Sequence, residues 1–95
     1  MKTVVYTEHL KLRLKLRKIP ESYPKIIYES PEEKYYDRAE NRQVAIKKLH
    51  YNQKIRLMMI AYEEATEKVE IVTIHPMTES KIKNRASRGR WIKRG

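Results

Sequence analysis

The chain has 95 residues and a formal net charge of +10, from 22 lysines and arginines against 12 aspartates and glutamates. This length suits one domain with a modest core, and we expect a single domain over residues 1–95 with a basic tail at 88–95. The lack of cysteine excludes disulfides and thiolate metal sites. No apolar run approaches the roughly 18 to 20 residues of a membrane span and no signal peptide is evident, so we expect a cytoplasmic protein without a membrane partner.

The charges are distributed in blocks along the chain. Residues 1–18, 41–58 and 81–95 are strongly basic, whereas residues 19–40 and 59–80 are net acidic. A fold that brings the basic blocks onto one face would attract polyanions through counterion release. We therefore expect a surface that faces nucleic acid, with RNA as the first candidate and DNA as the second. Charge that serves only solubility is the alternative.

After a short strand or extended lead-in at residues 1–6, the first ambiguous segment is 9–18, where leucine alternates strictly with polar residues. Alternation is typical of a strand, whereas Leu, Lys and Arg favour a helix and no residue here is β-branched. On a helix, His9, Arg13 and Arg17 would form one row within the apolar face. Polar groups in that position need a partner or a cleft open to a ligand. Periodicity alone narrowly favours the strand.

The middle of the chain predicts a short helix followed by a strand meander. A helix is expected over residues 21–29 and an edge strand over 34–37. The runs 43–49, 55–62 and 68–75 are rich in β-branched and apolar residues, and the gaps between them are short enough for antiparallel hairpins. Because the run 55–62 is apolar in both alternating sets, we expect it to be the central strand.

The C-terminal segment is basic and contains the single tryptophan, Trp91. A helix is predicted over residues 81–87, ended by Gly89. Interleaved basic and aromatic side chains suit single-stranded nucleic acid, with charge for the phosphates and a ring for base stacking. Docking of Trp91 and Ile92 on the core is an equal alternative. The residues predicted to bind nucleic acid are Lys81, Lys83, Arg88, Arg90, Trp91 and Lys93.

A series of short motifs, together with the order of the elements, carries a family resemblance. In chain order the motifs are Thr7-Glu8-His9, Arg13, Arg17-Lys18-Ile19, Ser30-Pro31, Asp37, Tyr62-Glu63-Glu64 and Thr73-Ile74-His75-Pro76. The chain thereby resembles the small toxins of bacterial and archaeal toxin–antitoxin modules of the RelE and BrnT kind, and above all uncharacterised toxin-like domains. The likeness spans about residues 6–76.

The resemblance implies a fold and an activity. It makes residues 8–18 helical, which gives an α+β fold with two N-terminal helices packed on an antiparallel sheet of about four strands and a short basic C-terminal helix. It also implies a metal-independent ribonuclease without a cofactor, silenced by an antitoxin protein; a homodimer is left open. The last segment has Trp91 where those toxins often carry a tyrosine, so the general base stays unassigned.

Metal-free RNA cleavage needs a base for the 2′-hydroxyl, an acid for the leaving oxygen and positive charge for the transition state. Histidine and arginine supply these groups near neutral pH. Our hypothesis is that the catalytic residues His9, Arg13, Arg17 and His75 line one cleft, which Arg85 closes. We expect His75 at the end of the third meander strand. No cluster with metal-ligand spacing is present, so no metal site is predicted.

Other interpretations are open at this point. Arg13 and Arg17 could instead form ordinary ion pairs with carboxylates, namely Asp37, Glu63 or Glu64. The protein could be a non-catalytic nucleic-acid-binding protein that uses the same basic face, or a protein-interaction module that docks an acidic partner. The deciding feature is whether the arginine row faces a cleft or is neutralised by carboxylates.

Overall fold

The computed structural model describes residues 2–94, so residues 1 and 95 of the predicted domain and tail lie outside the described part of the chain. Within that part, three helices and six strands form an α+β fold, which confirms the predicted class. In chain order the elements are β1 (Thr3–Tyr6), α1 (Glu8–Arg17), α2 (Tyr23–Glu29), β2 (Glu33–Asp37), β3 (Arg42–Tyr51), β4 (Lys54–Glu64), β5 (Lys68–Met77), α3 (Glu79–Ser87) and β6 (Trp91–Arg94).

All six strands belong to one sheet with the order β1-β5-β4-β3-β2-β6. The meander β3-β4-β5 is antiparallel, as predicted. The expected number of about four strands is wrong, because β1 adds a parallel strand beside β5 and β6 adds an antiparallel strand beside β2. As a result β2 lies inside the sheet and not at its edge. Both added strands have four residues, too few for a periodic signal.

The central position of β4 follows from its two apolar faces. Met58, Ile60 and Tyr62 are buried in a cluster with α1 and α2 on one side of the sheet. Met59 and Ala61 pack on the opposite side, in a cluster that includes residues of α3 and β6. Successive side chains of a strand point to opposite faces, so a strand covered on both sides is apolar throughout. The sheet is therefore a middle layer between the N-terminal helices and α3.

A β-bulge in β5 decides which side chains reach the α3 side. Ile71 and Thr73 pair with consecutive residues of β4, which leaves Val72 as the extra residue. Strict alternation would place residues 71, 73 and 75 on the same face, but the bulge reverses the alternation after residue 71. Thr73 and His75 consequently face the α3 side, while Ile71 faces the N-terminal helices.

Helix α1 forms despite the alternating pattern that narrowly favours a strand. The hydroxyl of Thr7 accepts a hydrogen bond from the backbone N–H of Leu10 at 3.2 Å and caps the helix. Leu10 and Leu14 are buried, whereas Leu12 and Leu16 are 55% and 72% exposed. The four leucines thus lie on two sides of a helix, which agrees with the helix that the family resemblance implies.

The C-terminal segment is folded onto the sheet through Trp91. The helix α3 packs through Ile82, and Gly89 with φ of 76° allows the chain to turn into β6. Trp91 is 1% exposed and contacts Tyr35 of β2, whereas Ile92 is 47% exposed. Of the two arrangements left open, the structure has the docked tryptophan, and a ring this buried cannot stack on a base. Residues 91–94 of the predicted tail form β6.

Candidate functional site

A cleft of about 360 Å³ lies on the α3 side of the sheet. It brings together four of the five predicted catalytic residues, from three separate elements: His9 and Arg13 of α1, His75 of β5, and Arg85 of α3. The rest of its lining consists of Asp37, Glu40, Arg42, Met59, Ala61, Val72, Thr73, Arg90 and Trp91. A larger groove of about 460 Å³ on the outer side of α1 contains lysine and glutamate but no histidine.

The start of α1 is held against β5, which places its polar row at the cleft. The backbone N–H of Thr7 donates to the carbonyl of Ile71 at 3.2 Å, and its hydroxyl donates to the carbonyl of Val72 at 3.3 Å. Because β1 pairs only with the first residues of β5, α1 runs beside the remainder of that strand. His9 and Arg13 therefore reach the cleft from the strand edge.

Arg17 and His75 differ from their expected positions. Arg17 is not part of the cleft lining, although its charge still acts on His75. The backbone carbonyl of Arg17 accepts a hydrogen bond from the Tyr51 hydroxyl at 2.8 Å, which fixes the end of α1. His75 lies opposite Met59 inside β5 and does not end it, because the strand continues to Met77.

The environment of His75 keeps its imidazole neutral at pH 7. Burial is the largest effect that lowers the pKa of His75 from 6.5 to about 4, and four neighbouring positive charges lower it further: those of Arg17, Arg13, Arg85 and Lys81. Both effects disfavour the imidazolium ion. A neutral imidazole retains a lone pair on one ring nitrogen and can accept a proton.

His9 contacts the neighbouring arginine. The Nε of Arg13 donates a hydrogen bond to Nε2 of His9 at 3.0 Å, one helical turn away. Nε2 can accept only through its lone pair, so this ring nitrogen carries no proton in the observed arrangement. The contact fixes the guanidinium of Arg13 without neutralising its charge.

The carboxylates considered as partners for the arginine row each bond a different cation. Asp37 bonds Arg90 at 3.2 Å, Glu63 bonds Arg42 at 3.3 Å, and Glu64 bonds Lys2 at 3.0 Å. Over residues 2–94, neither Arg13 nor Arg17 forms a salt bridge. The ion-pair interpretation of the row is therefore not the arrangement found: Arg13 lines the cleft, and Arg17 lies outside the lining but still acts on His75.

Asp37 is a buried carboxylate at one end of the cleft, 5% exposed. Burial raises its pKa, but hydrogen bonds from Arg90 and from the backbone N–H of Glu40 outweigh burial and hold the pKa below its usual value. The backbone N–H of Ala39 also donates to it, at 2.9 Å. The indole N–H of Trp91 is buried, and it forms no hydrogen bond of ordinary geometry with a described residue. It nevertheless also lowers the pKa of Asp37, because it favours the ionised carboxylate. Arg90, predicted to bind nucleic acid, is therefore engaged by Asp37.

Arg85 lies over the indole ring of Trp91. The guanidinium carbon of Arg85 is 5.1 Å from the ring centroid, a distance typical of a cation–π contact. The same ring packs against Tyr35 with a centroid separation of 5.4 Å. Trp91 thus contributes to the site as a support for a cleft arginine, a role that the sequence analysis does not assign to it.

The remaining predicted nucleic-acid residues lie outside the cleft lining. Lys81, Lys83 and Arg88 are exposed on or just after α3, and Lys81 is near enough to affect the pKa of His75. Lys93 lies on β6, with its Nζ 3.9 Å from a Glu33 carboxylate oxygen. These side chains could extend a basic surface beyond the cleft but do not complete it.

The sequence analysis misses three polar residues of the cleft: Glu40, Arg42 and Thr73. Thr73 lies two residues before His75 on one strand, so the period of two could have identified it as a neighbour on the same face. Glu40 lies in the β2–β3 connection and Arg42 is the first residue of β3, and no local pattern places this part of the chain beside α1.

Comparison of the chain with models of known protein families gave no match, and neither did comparison with curated proteins or with solved structures. Within residues 2–94, histidines and carboxylates do not gather in groups of three or more that could hold a metal ion. No helix in this range has the length and apolar character needed to cross a membrane. The chemistry of the cleft is therefore the basis for a functional assignment.

Proposed function

We propose that the protein is a toxin-type endoribonuclease that cleaves RNA without a metal ion in the cleft between α1, β5 and α3. The observation that carries this proposal is a neutral histidine, His75, surrounded by Arg13, Arg17 and Arg85, which no carboxylate within residues 2–94 neutralises. A histidine that serves only packing, or a charged surface that serves only solubility, does not require this combination. An antitoxin protein as the partner belongs to the same proposal.

His75 takes the role of general base. Its neutral ring accepts the proton of the 2′-hydroxyl, the 2′-oxygen attacks the adjacent phosphorus, and the bond from phosphorus to the 5′-oxygen breaks. The departing 5′-oxygen takes a proton from water, so the products are a 2′,3′-cyclic phosphate and a 5′-hydroxyl. A pKa of about 4 makes the free imidazole a weak base. A bound phosphodiester would offset the arginine charges and raise the basicity of His75 where it is needed.

The arginines supply the electrostatic part of the reaction. Arg13 and Arg85 line the cleft, and Arg17 and Lys81 lie close enough to affect His75. Negative charge builds up on the phosphorus oxygens during attack, and fixed guanidinium groups stabilise it more strongly in the transition state than in the substrate. Guanidinium remains charged at every working pH and can bind two phosphate oxygens at once.

The direct test is incubation of the purified protein with end-labelled RNA in EDTA, followed by gel separation of the fragments. We expect discrete cuts that are lost in His75→Ala and in the His9→Ala/His75→Ala double variant. His50→Ala is the matched control, because His50 is exposed and outside the cleft lining. Cuts that persist in the double variant would remove this assignment of the site.

A second candidate is an RNA-binding protein without nuclease activity, which the exposed basic side chains on and after α3 favour. A native gel of the same incubation distinguishes it, because intact RNA with reduced mobility indicates binding alone. Intact RNA without any shift, from protein with a native circular dichroism spectrum, would instead favour a module that binds only other proteins.

A further inference from the structure

We propose that Arg13 and Arg85 form a preorganised phosphate clamp in which His9 and Trp91 act as positioning residues. The clamp rests on the proposed function for the identity of its substrate, the phosphodiester of RNA. Its ligand chemistry is broader, however, since any accessible phosphate group of suitable size should enter the cleft. The clamp can therefore be tested with inorganic phosphate, separately from RNA cleavage.

Trp91 limits the motion of Arg85. A free arginine side chain samples many rotamers, and ordering it on a ligand costs conformational entropy. Here the guanidinium already lies 5.1 Å from the centroid of a ring that is 1% exposed and packed on Tyr35. A cation–π contact does not engage the N–H donors of the guanidinium with a carboxylate, so these donors stay available to a ligand. Arg85 is thus oriented before any anion arrives.

His9 orients the second arginine through a different contact. Arg13 uses Nε to bond Nε2 of His9, which leaves both terminal nitrogens available to two oxygens of one anion. The partner is an imidazole and not a carboxylate, so the full positive charge of Arg13 remains. The function assigned to His9 is therefore to position an arginine and not to transfer a proton.

Arg90 shows the contrasting arrangement in the same cleft. Its Nε and Nη2 both donate to the carboxylate of Asp37. This carboxylate occupies the edge of the guanidinium that could bind two oxygens of a ligand, and it neutralises the charge of Arg90. Arg13 and Arg85 instead rest on an imidazole and an indole, two groups that hold a guanidinium without compensating it. Four arginines line one cleft with Asp37 and Glu40. Arg90 pairs with Asp37 and Arg42 pairs with Glu63, so among the described residues only the two beside His75 keep their charge free of a carboxylate. This asymmetry places the anion site at the His75 end.

The chain contains a built-in reporter for this site, because Trp91 is its single tryptophan. Inorganic phosphate, titrated into the intact protein at constant ionic strength, should produce a saturable change in Trp91 emission as it draws the guanidinium of Arg85. Arg85→Gln should abolish that change and weaken phosphate binding at least tenfold by calorimetry. Arg56→Gln is the matched control, since Arg56 lies opposite Leu49 on the other face of the sheet. It should bind as the unmodified protein does.

Three further variants test the positioning roles. His9→Ala should weaken phosphate binding several-fold, and His9→Gln should restore it because an amide oxygen can accept the Arg13 Nε–H. Trp91→Phe, checked for folding by circular dichroism, should weaken binding less than Arg85→Gln does, because phenylalanine keeps an aromatic face. Equal affinities for His9→Ala and His9→Gln would overturn the role of His9.

The outcomes separate the clamp from the nuclease. Saturable phosphate binding in a protein that leaves RNA intact upholds the clamp and removes the nuclease. RNA cleavage with neither an emission change nor binding heat for phosphate upholds the nuclease and removes the clamp. A phosphate response that survives Arg85→Gln unchanged would also overturn the clamp.

Discussion

Arg90 donates two hydrogen bonds to Asp37, from Nε to Oδ1 and from Nη2 to Oδ2, each at 3.2 Å. This bidentate pair connects the end of β2 with the residue just before β6, although the two residues are 53 positions apart in the chain. It also removes one arginine from the positive charge that the cleft can offer a ligand. A basic composition therefore overstates the available charge, and the ion-pair partners decide which arginines can bind an anion.

The first prediction concerns this pair. Asp37→Ala leaves Arg90 without its partner and the backbone N–H groups of Ala39 and Glu40 without an acceptor. We expect the free energy of unfolding, measured with urea, to fall by about 2 to 4 kcal/mol. Glu63→Ala is the control: its carboxylate is 58% exposed in the pair with Arg42, and its loss should change stability by about 0.5 kcal/mol or less. Equal stabilities for the two variants would contradict a structural role for the buried pair.

The second prediction concerns pH. The pKa of His75 is about 4 in the folded protein and near 6.5 when the chain is unfolded. Between these values the unfolded chain binds more protons, so stability is greatest above pH 6.5 and falls as the pH is lowered towards 4. The contribution of this one group is at most about 3.5 kcal/mol, since each pKa unit corresponds to about 1.4 kcal/mol.

Urea unfolding at a series of pH values, compared between the unmodified protein and His75→Gln, isolates this effect. Asp37 and Glu64 also lose stabilising charge at low pH, because their pKa values are lowered in the folded state, but they do so in both proteins. The stability difference between the two proteins should therefore shift in favour of the variant as the pH falls from 7 to 4.5. A difference independent of pH would show that His75 titrates normally.

The sequence predicts the meander well, because β3, β4 and β5 each contain within their own residues the apolar side chains that a buried strand needs. It leaves β1 open between a short strand and an extended lead-in and does not predict β6, because each has four residues and its partner lies far away in the chain. Trp91 illustrates the same limit: beside basic residues it suits either a base or a core, and only the packing on Tyr35 decides. Long-range pairing thus determines what local pattern leaves open.

The cleft shows a second limit of sequence reasoning. His9, Arg13, His75 and Arg85 are predicted to lie together, and the structure brings them together. The sequence pattern alone does not explain why His75 lies there, since the bulge at Val72 turns His75 onto the α3 side of the sheet. The alternation of the flanking residues would place it among the N-terminal helices. Spatial proximity agrees with the hypothesis, and the cleavage kinetics of the variants test the catalytic roles.

The third prediction concerns the salt dependence of RNA binding. Four cationic side chains act on the His75 region: Arg13, Arg17, Lys81 and Arg85. With about four phosphates neutralised, a plot of log affinity against log salt should have a slope of about −3 for single strands. Measurements on 2′-O-methyl RNA avoid cleavage, because this RNA lacks the nucleophile. Arg17→Gln should reduce the slope by about 0.7, and Arg56→Gln should leave it unchanged. Equal slopes for the two variants would exclude Arg17 from the bound surface.

The fourth prediction distinguishes helix from strand in α1 through two leucines of the same alternating set. In a strand, Leu14 and Leu16 would lie on the same face and contribute alike. In the helix, Leu14 is 5% exposed while Leu16 is 72% exposed.

We expect Leu14→Ala to lower the free energy of unfolding by about 2 to 4 kcal/mol, through lost burial and the cavity that remains. Leu16→Ala should change it by about 0.5 kcal/mol or less, because its side chain already contacts water. Chemical denaturation of both variants provides the comparison, and the two substitutions remove the same atoms, so each is the control for the other. Since α1 carries His9 and Arg13 into the cleft, Leu14→Ala should also weaken phosphate binding, whereas Leu16→Ala should preserve it. Similar losses of stability for both variants would mean that residues 8–17 do not pack as a helix and that the polar row does not reach His75.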